Sequence, residues 1–145
     1  MNYMWADTLA SVERWHLLRL LLWAAASIVA GTAILAWMRI GARQSDLLRH
    51  FALQCAAWGV IDVLLAASGL AQLHLRDLSE ATRLDRLLWF AIGLDTGLLV
   101  LGVCLVILGV RTFKRPGLTG AGMGVLVQSG GLLVMDLLLA AQISR

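Results

Sequence analysis

The sequence predicts an all-α protein, a membrane-spanning four-helix bundle built from two tandem helical hairpins. Of its 145 residues 60% are hydrophobic and 14% charged, against roughly 45–50% and about 25% in soluble domains; the mean hydropathy is +0.82. Four apolar stretches, 17–38, 51–72, 87–110 and 120–142, each approach the ~20 residues that cross about 30 Å of hydrocarbon at 1.5 Å per residue. The segment QCAAWGVIDVLLAA (54–67) also returns as QSGGLLVMDLLLAA (128–141), with seven identities in fourteen. Residues 1–145 are therefore read as a single integral membrane domain.

The lead-in, 1–16, carries Trp5, Asp7, Glu13, Arg14, Trp15 and His16. It suits either an interfacial helix with Asp7 as N-cap or a short solvated segment. Arg14, LLRLLLW and AAA have the look of a signal peptide. The apolar run continues through SIVAGTAILAW, however, and that length spans rather than ends. The first connection (39–50) carries Arg39, Arg43 and Arg49 against Asp46, and the third (111–119) carries Arg111, Lys114 and Arg115 with no acid. The second (73–86) balances Arg76, Arg83 and Arg86 with Asp77, Glu80 and Asp85. By the positive-inside rule the first and third connections are cytoplasmic and both termini lie outside. No proline interrupts a span, so proline kinks and the broken helices of many transporters are not expected. Gly93 and Gly97, and Gly120 and Gly124, are spaced as helix-packing faces, because small residues four apart let backbones approach in lipid.

The repeat has a shift of 74, which pairs Gln54 with Gln128 and Asp62 with Asp136. A fainter echo aligns LLLWAAASIVAG (20–31) with RLLWFAIGLDTG (86–97). The simplest architecture is a duplicated hairpin whose halves are related by an axis along the membrane normal.

Residues 73–111, LHLRDLSEATRLDRLLWFAIGLDTGLLVLGVCLVILGVR, followed by LTGAGMGVLVQSGGLLVMD (118–136), resemble an uncharacterised family of small bacterial four-helix membrane proteins, catalogued only as a domain of unknown function. HFALQCAAWGVID (50–62) is similar to an earlier pattern of that family, with Asp62 standing where the family pattern carries Asn. The resemblance spans about 50–142 and implies an architecture, a bacterial inner membrane and no activity.

Placed in those spans, Asp62, Asp95 and Asp136 lie about 15, 12 and 9 Å from the outer helix ends. Gln54, Trp58 and Asp62 recur every four residues, as do Gln128, Leu132 and Asp136, so each set shares one helix stripe. Facing inward, these residues form a polar intramembrane pocket. An Asp at mid-span costs roughly 2.5–3.5 kcal/mol, whereas an interhelical hydrogen bond in lipid returns about 0.6 kcal/mol. The acids then need protons, a wet crevice, or a counter-ion such as snorkelling Arg19 or Arg86. Functional acids and hydrogen-bonded structural glue remain equal readings.

Nothing here has the form of a catalytic centre. His16, His50 and His74 fall at span ends, Cys55 and Cys104 sit on different spans as packing residues, and no nucleophile elbow, CxxC or phosphate loop occurs. Trp15, Trp23, Trp37 and Trp89 read as an aromatic belt, with Trp58 packed mid-span. No cofactor or metal is implied. The expected partners are the lipid bilayer and a second copy or a larger membrane complex, not nucleic acid. Two functions follow, a membrane binding or accessory module and a small proton-coupled carrier or channel using the aspartates; an enzyme acting on lipid or quinone is a weaker third.

Overall fold

The computed structural model describes residues 4–41 and 44–143. It consists of α1 (Met4–Ile40), α2 (Asp46–Ala71), α3 (Leu78–Ile107) and α4 (Pro116–Ile143), with a π-helical turn, Leu108–Thr112, extending α3. Arg43 lies outside the described residues. Ser45 caps α2 by accepting from the Leu48 amide at 3.4 Å. Asp77 and Glu80 form a reciprocal capping box at the start of α3, with Asp77 Oδ1 accepting from the Glu80 amide at 2.8 Å. Pro116 opens α4 at the position where a missing amide proton costs nothing, and the turn before it carries Lys114 at a left-handed φ of 49°.

The first helix corrects an expectation. Between Met4 and Ala30 there is neither glycine nor proline, so nothing separates a lead-in from a span, and α1 runs unbroken for 37 residues, about 55 Å. Asp7 lies inside its first turn, not at its cap. The N-terminal overhang is tied down by Glu13. This carboxylate is 5% exposed and takes a bidentate pair from Arg76 of the α2–α3 connection, at 2.6 and 2.9 Å.

Small residues set the packing. A Cβ on Gly31 of α1 would lie 2.5 Å from the Ala52 carbonyl of α2, and one on Gly59 of α2 would lie 2.8 Å from the Ala24 carbonyl. In the second hairpin Gly122 of α4 similarly abuts the Gly102 carbonyl and the Val106 amide of α3, at 2.9 and 2.8 Å. Backbones this close gain dispersion contacts that larger side chains would prevent, and these contacts hold helices together where lipid surrounds them. Gly120 and Gly124 pack α4 onto Leu47 and Gln54 of α2. Gly93 and Gly97 do not pack: both are exposed, with nothing within 4 Å of where a Cβ would stand. The reason is helical phase. The inward stripe of α3 is Leu88, Ile92, Asp95 and Gly102, and Gly93 and Gly97 fall outside it.

These contacts define the topology. Within each hairpin the helices are antiparallel, while α2 and α4 run parallel, with Gly120 on Leu47 and Gln128 on Cys55. α4 comes close to all three other helices and α1 lies against α2 and α4; the backbone of α3 approaches α4, while Val12 of α1 packs against the cluster of Leu88, Ile92 and Leu139. Among the described residues α2 and α3 make no close backbone approach. The hairpins also correspond in detail. Buried Leu17, Ala24 and Gly31 match buried Leu88, Asp95 and Gly102, each 71 residues on. Gly31 meets Ala52 as Gly102 meets Leu126, 74 residues on, and Gly69 meets Leu17 as Ile143 joins the cluster around Leu88. In the alignment of 20–31 with 86–97, buried Gly31 falls on exposed Gly97.

Candidate functional site: a polar seam inside the bundle

A water-soluble bundle buries large apolar side chains and exposes polar ones. Here the outer surface departs from that order. The largest fully buried side chains are Gln128, Asp62 and Ser129, set among buried Leu17, Leu20, Leu88 and Leu139, while Leu22, Val29, Leu64, Phe90, Val100 and Val134 are exposed across all four helices. A bundle that is hydrophobic outside and encloses several polar groups suits hydrocarbon as its surrounding medium.

The seam is built from both hairpins. Gln128 of α4 is 1% exposed; its Oε1 accepts from Trp23 Nε1 of α1 at 2.7 Å, and its Nε2 donates to the Cys55 carbonyl of α2 at 3.4 Å. Two turns on, half-buried Asp136 meets His16 Nε2 of α1 at 3.4 Å. Thus α1 brings an imidazole and an indole, seven residues apart, to an acid and an amide on α4. The repeated pair on α2 is treated differently. Gln54 is half-buried with its Cβ over Gly124. Asp62 is 1% exposed, and neither carboxylate oxygen has a partner among the described residues. Asp95 of α3, also buried, is within electrostatic reach of both Asp62 and Asp136.

Asp62 and Asp95 are thus buried and Asp136 half-buried, with Asp95 between the fields of the other two. Trp58 is half-buried one turn before Asp62. Arg19 and Arg86 are exposed and make no ion pair with the acids; with α1 starting at Met4, Arg19 stands well along the helix instead of at its outer end. The basic group that reaches an acid is His16, expected at a span end, and Trp23, expected in an aromatic belt, serves the interior instead. The seven-residue spacing that places both on the side of Leu20 and Ser27, each four residues on, was the available signal. Cys55 is buried and Cys104 exposed, both as free thiols. Among the described residues no three His, Cys, Asp or Glu side chains converge as a metal shell does.

Outside the spans, the α2–α3 connection is organised by charge. His74 bonds the Gln72 carbonyl through Nδ1 at 2.7 Å and the Glu80 carboxylate through Nε2 at 3.1 Å. The carbonyl bond and then the carboxylate push its pKa up from 6.5. Asp77 is held below the usual carboxylate range by the Glu80 amide and the Ser79 hydroxyl.

Fold and seam together define a class, a bundle of four helices, each long and apolar enough to cross a membrane, with ionisable groups enclosed among them. Within that class the chain belongs to a family of unknown function, DUF6992, which matches residues 19–137. Trp23, Gln54, Asp62, Asp95, Gln128 and Asp136 lie inside the matched segment; Glu13 and His16 precede it. No curated protein and no solved structure matches the chain.

Proposed function

We propose that this protein is a binding module of the bacterial inner membrane, a duplicated hairpin with both termini periplasmic, which holds a ligand or a partner's side chain in the seam around Asp62. One observation carries the reading. A carboxyl group sealed from solvent with no partner costs about 1–3 kcal/mol even when neutral, and more when charged. Folds keep intramembrane acids chiefly where they serve a site. The lack of a close backbone approach between α2 and α3 among the described residues supports entry to Asp62 from that side. The charge pattern supports the orientation, since basic residues crowd the end formed by the first and third connections.

Asp62→Asn together with Asp136→Asn tests this. The module reading expects a protein that inserts and assembles normally in native membrane, because Asn both donates and accepts, and whose copurifying ligand or partner, found by mass spectrometry in mild detergent, is lost or weakened. Wild-type protein that carries nothing would overturn it. Asp95, within electrostatic reach of both Asp62 and Asp136, and His16 beside Asp136 favour a second reading, a proton-coupled carrier. In that case proteoliposomes of the wild type conduct protons and those of the well-inserted double variant do not.

A further inference from the structure

We propose that a second site, independent of the seam, holds one anionic phospholipid in the cleft between the end of α1 and the start of α2. The two ends of the bundle differ in charge. Among the described residues Arg39, Arg49, Arg111, Lys114 and Arg115 stand with a single acid, Asp46, at one end, whereas the basic residues of the other end are offset by Asp7, Glu13, Asp77, Glu80 and Asp85. At the basic end a cleft of about 920 Å³ opens along the α1–α2 seam. Its rim carries Arg39, Arg49, Gln44 and Ser45, with Asp46 beside them, and its wall descends through Ala36, Leu35 and Thr32 on α1 and Leu53 on α2.

The gradient along this cleft is that of a lipid. Thr32 lies eight residues from the end of α1 and Leu53 seven from the start of α2, so the apolar wall reaches about 10–12 Å inward from the rim. Arg39 and Arg49 are exposed and have no ion-pair partner among the described residues. The start of α2 adds amide donors and the positive end of its dipole. Guanidinium groups bind phosphate oxygens through paired N–H donors, while Leu35 and Leu53 offer a surface to an acyl chain. A soluble phosphate would use the rim and leave that wall idle, so the occupant is a membrane lipid with a negative headgroup.

The test uses full-length protein in detergent, titrated by native mass spectrometry with phosphatidylglycerol, with phosphatidylcholine of matched chains, and with glycerol phosphate. We expect one phosphatidylglycerol retained in preference to phosphatidylcholine. The Arg39→Gln, Arg49→Gln variant should weaken that retention roughly 30-fold, at about 1 kcal/mol for each basic residue near an anionic surface, with phosphatidylcholine unaffected. Lys114→Gln with Arg115→Gln, at a neighbouring cleft of the same end, should leave it intact. Equal retention of the two lipids, an equal loss in both variants, or displacement of the lipid by glycerol phosphate would each overturn the proposal. Circular dichroism confirms folding, and Lys114→Gln with Arg115→Gln controls for the loss of two charges.

Discussion

Replacing Asp62 with valine tests whether this acid supports the fold or is carried by it. Its two oxygens are buried without a partner, so folding strips them of water and returns no hydrogen bond, at a cost of about 1–3 kcal/mol. Valine removes that cost and adds apolar surface at similar volume, offset in part by its branched shape in a packed interior. The net expectation is a gain of about 1–3 kcal/mol. At roughly 2–4 °C per kcal/mol for a chain of this size, the unfolding midpoint rises by about 2–12 °C. Thermal unfolding in detergent, followed by tryptophan fluorescence and circular dichroism, reads the shift. Asp136→Val is the control, since it breaks the contact with His16 and lowers the midpoint. A fall in the Asp62→Val midpoint comparable to that of the control would refute the reasoning, because the carboxyl would then hold a stabilising bond.

Trp23→Phe strands the buried Gln128 Oε1 and should cost about 1–3 kcal/mol; Trp89→Phe, on an exposed side chain, should leave the same unfolding curve unchanged. Arg76→Gln leaves the Glu13 carboxylate buried and unpaired, which destabilises by about 3–5 kcal/mol. Adding Glu13→Gln should restore much of that loss, and additivity in the double-mutant cycle would contradict it. Gly124→Leu should prevent α4 from seating on Gln54 and yield aggregated protein on size exclusion, while Gly97→Leu, open on all sides, should elute as wild type. The raised His74 pKa means that its contribution to stability is complete below about pH 6.5 and disappears as pH rises through the folded value. His74→Ala should therefore lower the midpoint at pH 5.5 and match wild type at pH 9.

Much of the seam was legible because polar residues are scarce in these spans and their spacing is helical. Gln54 and Asp62, or Gln128 and Asp136, eight residues apart, leave little choice of face once one of them turns inward. Asp95 could be read the same way, as an acid in a run that cannot present it to lipid. What composition could not reveal was phase and reach. Gly93 and Gly97 have the spacing of a contact face, yet the phase of α3 is set by Leu88 and Gly102 against α4, which no local pattern encodes. The arginine counter-ions failed for a related reason: the length of α1 decides where Arg19 stands, and that length follows from an absence of helix breakers before Ala30. The Glu13–Arg76 pair joins residues 63 apart, one of them in a connection, beyond what periodicity can reach.

Of the four helices, the one that touches all the others is synthesised after them. Until α4 emerges, the indole of Trp23 and the imidazole of His16 lack the partners they have in the fold, and α3 lacks the helix it packs against most closely. The three earlier helices must wait, with Asp62 and Asp95 already made, for a fourth whose Gly120, Gly122 and Gly124 seat it against α2 and α3. Biogenesis of this protein thus has an unavoidable unfinished stage, and truncation before residue 116 should leave a product for the quality-control proteases of the membrane.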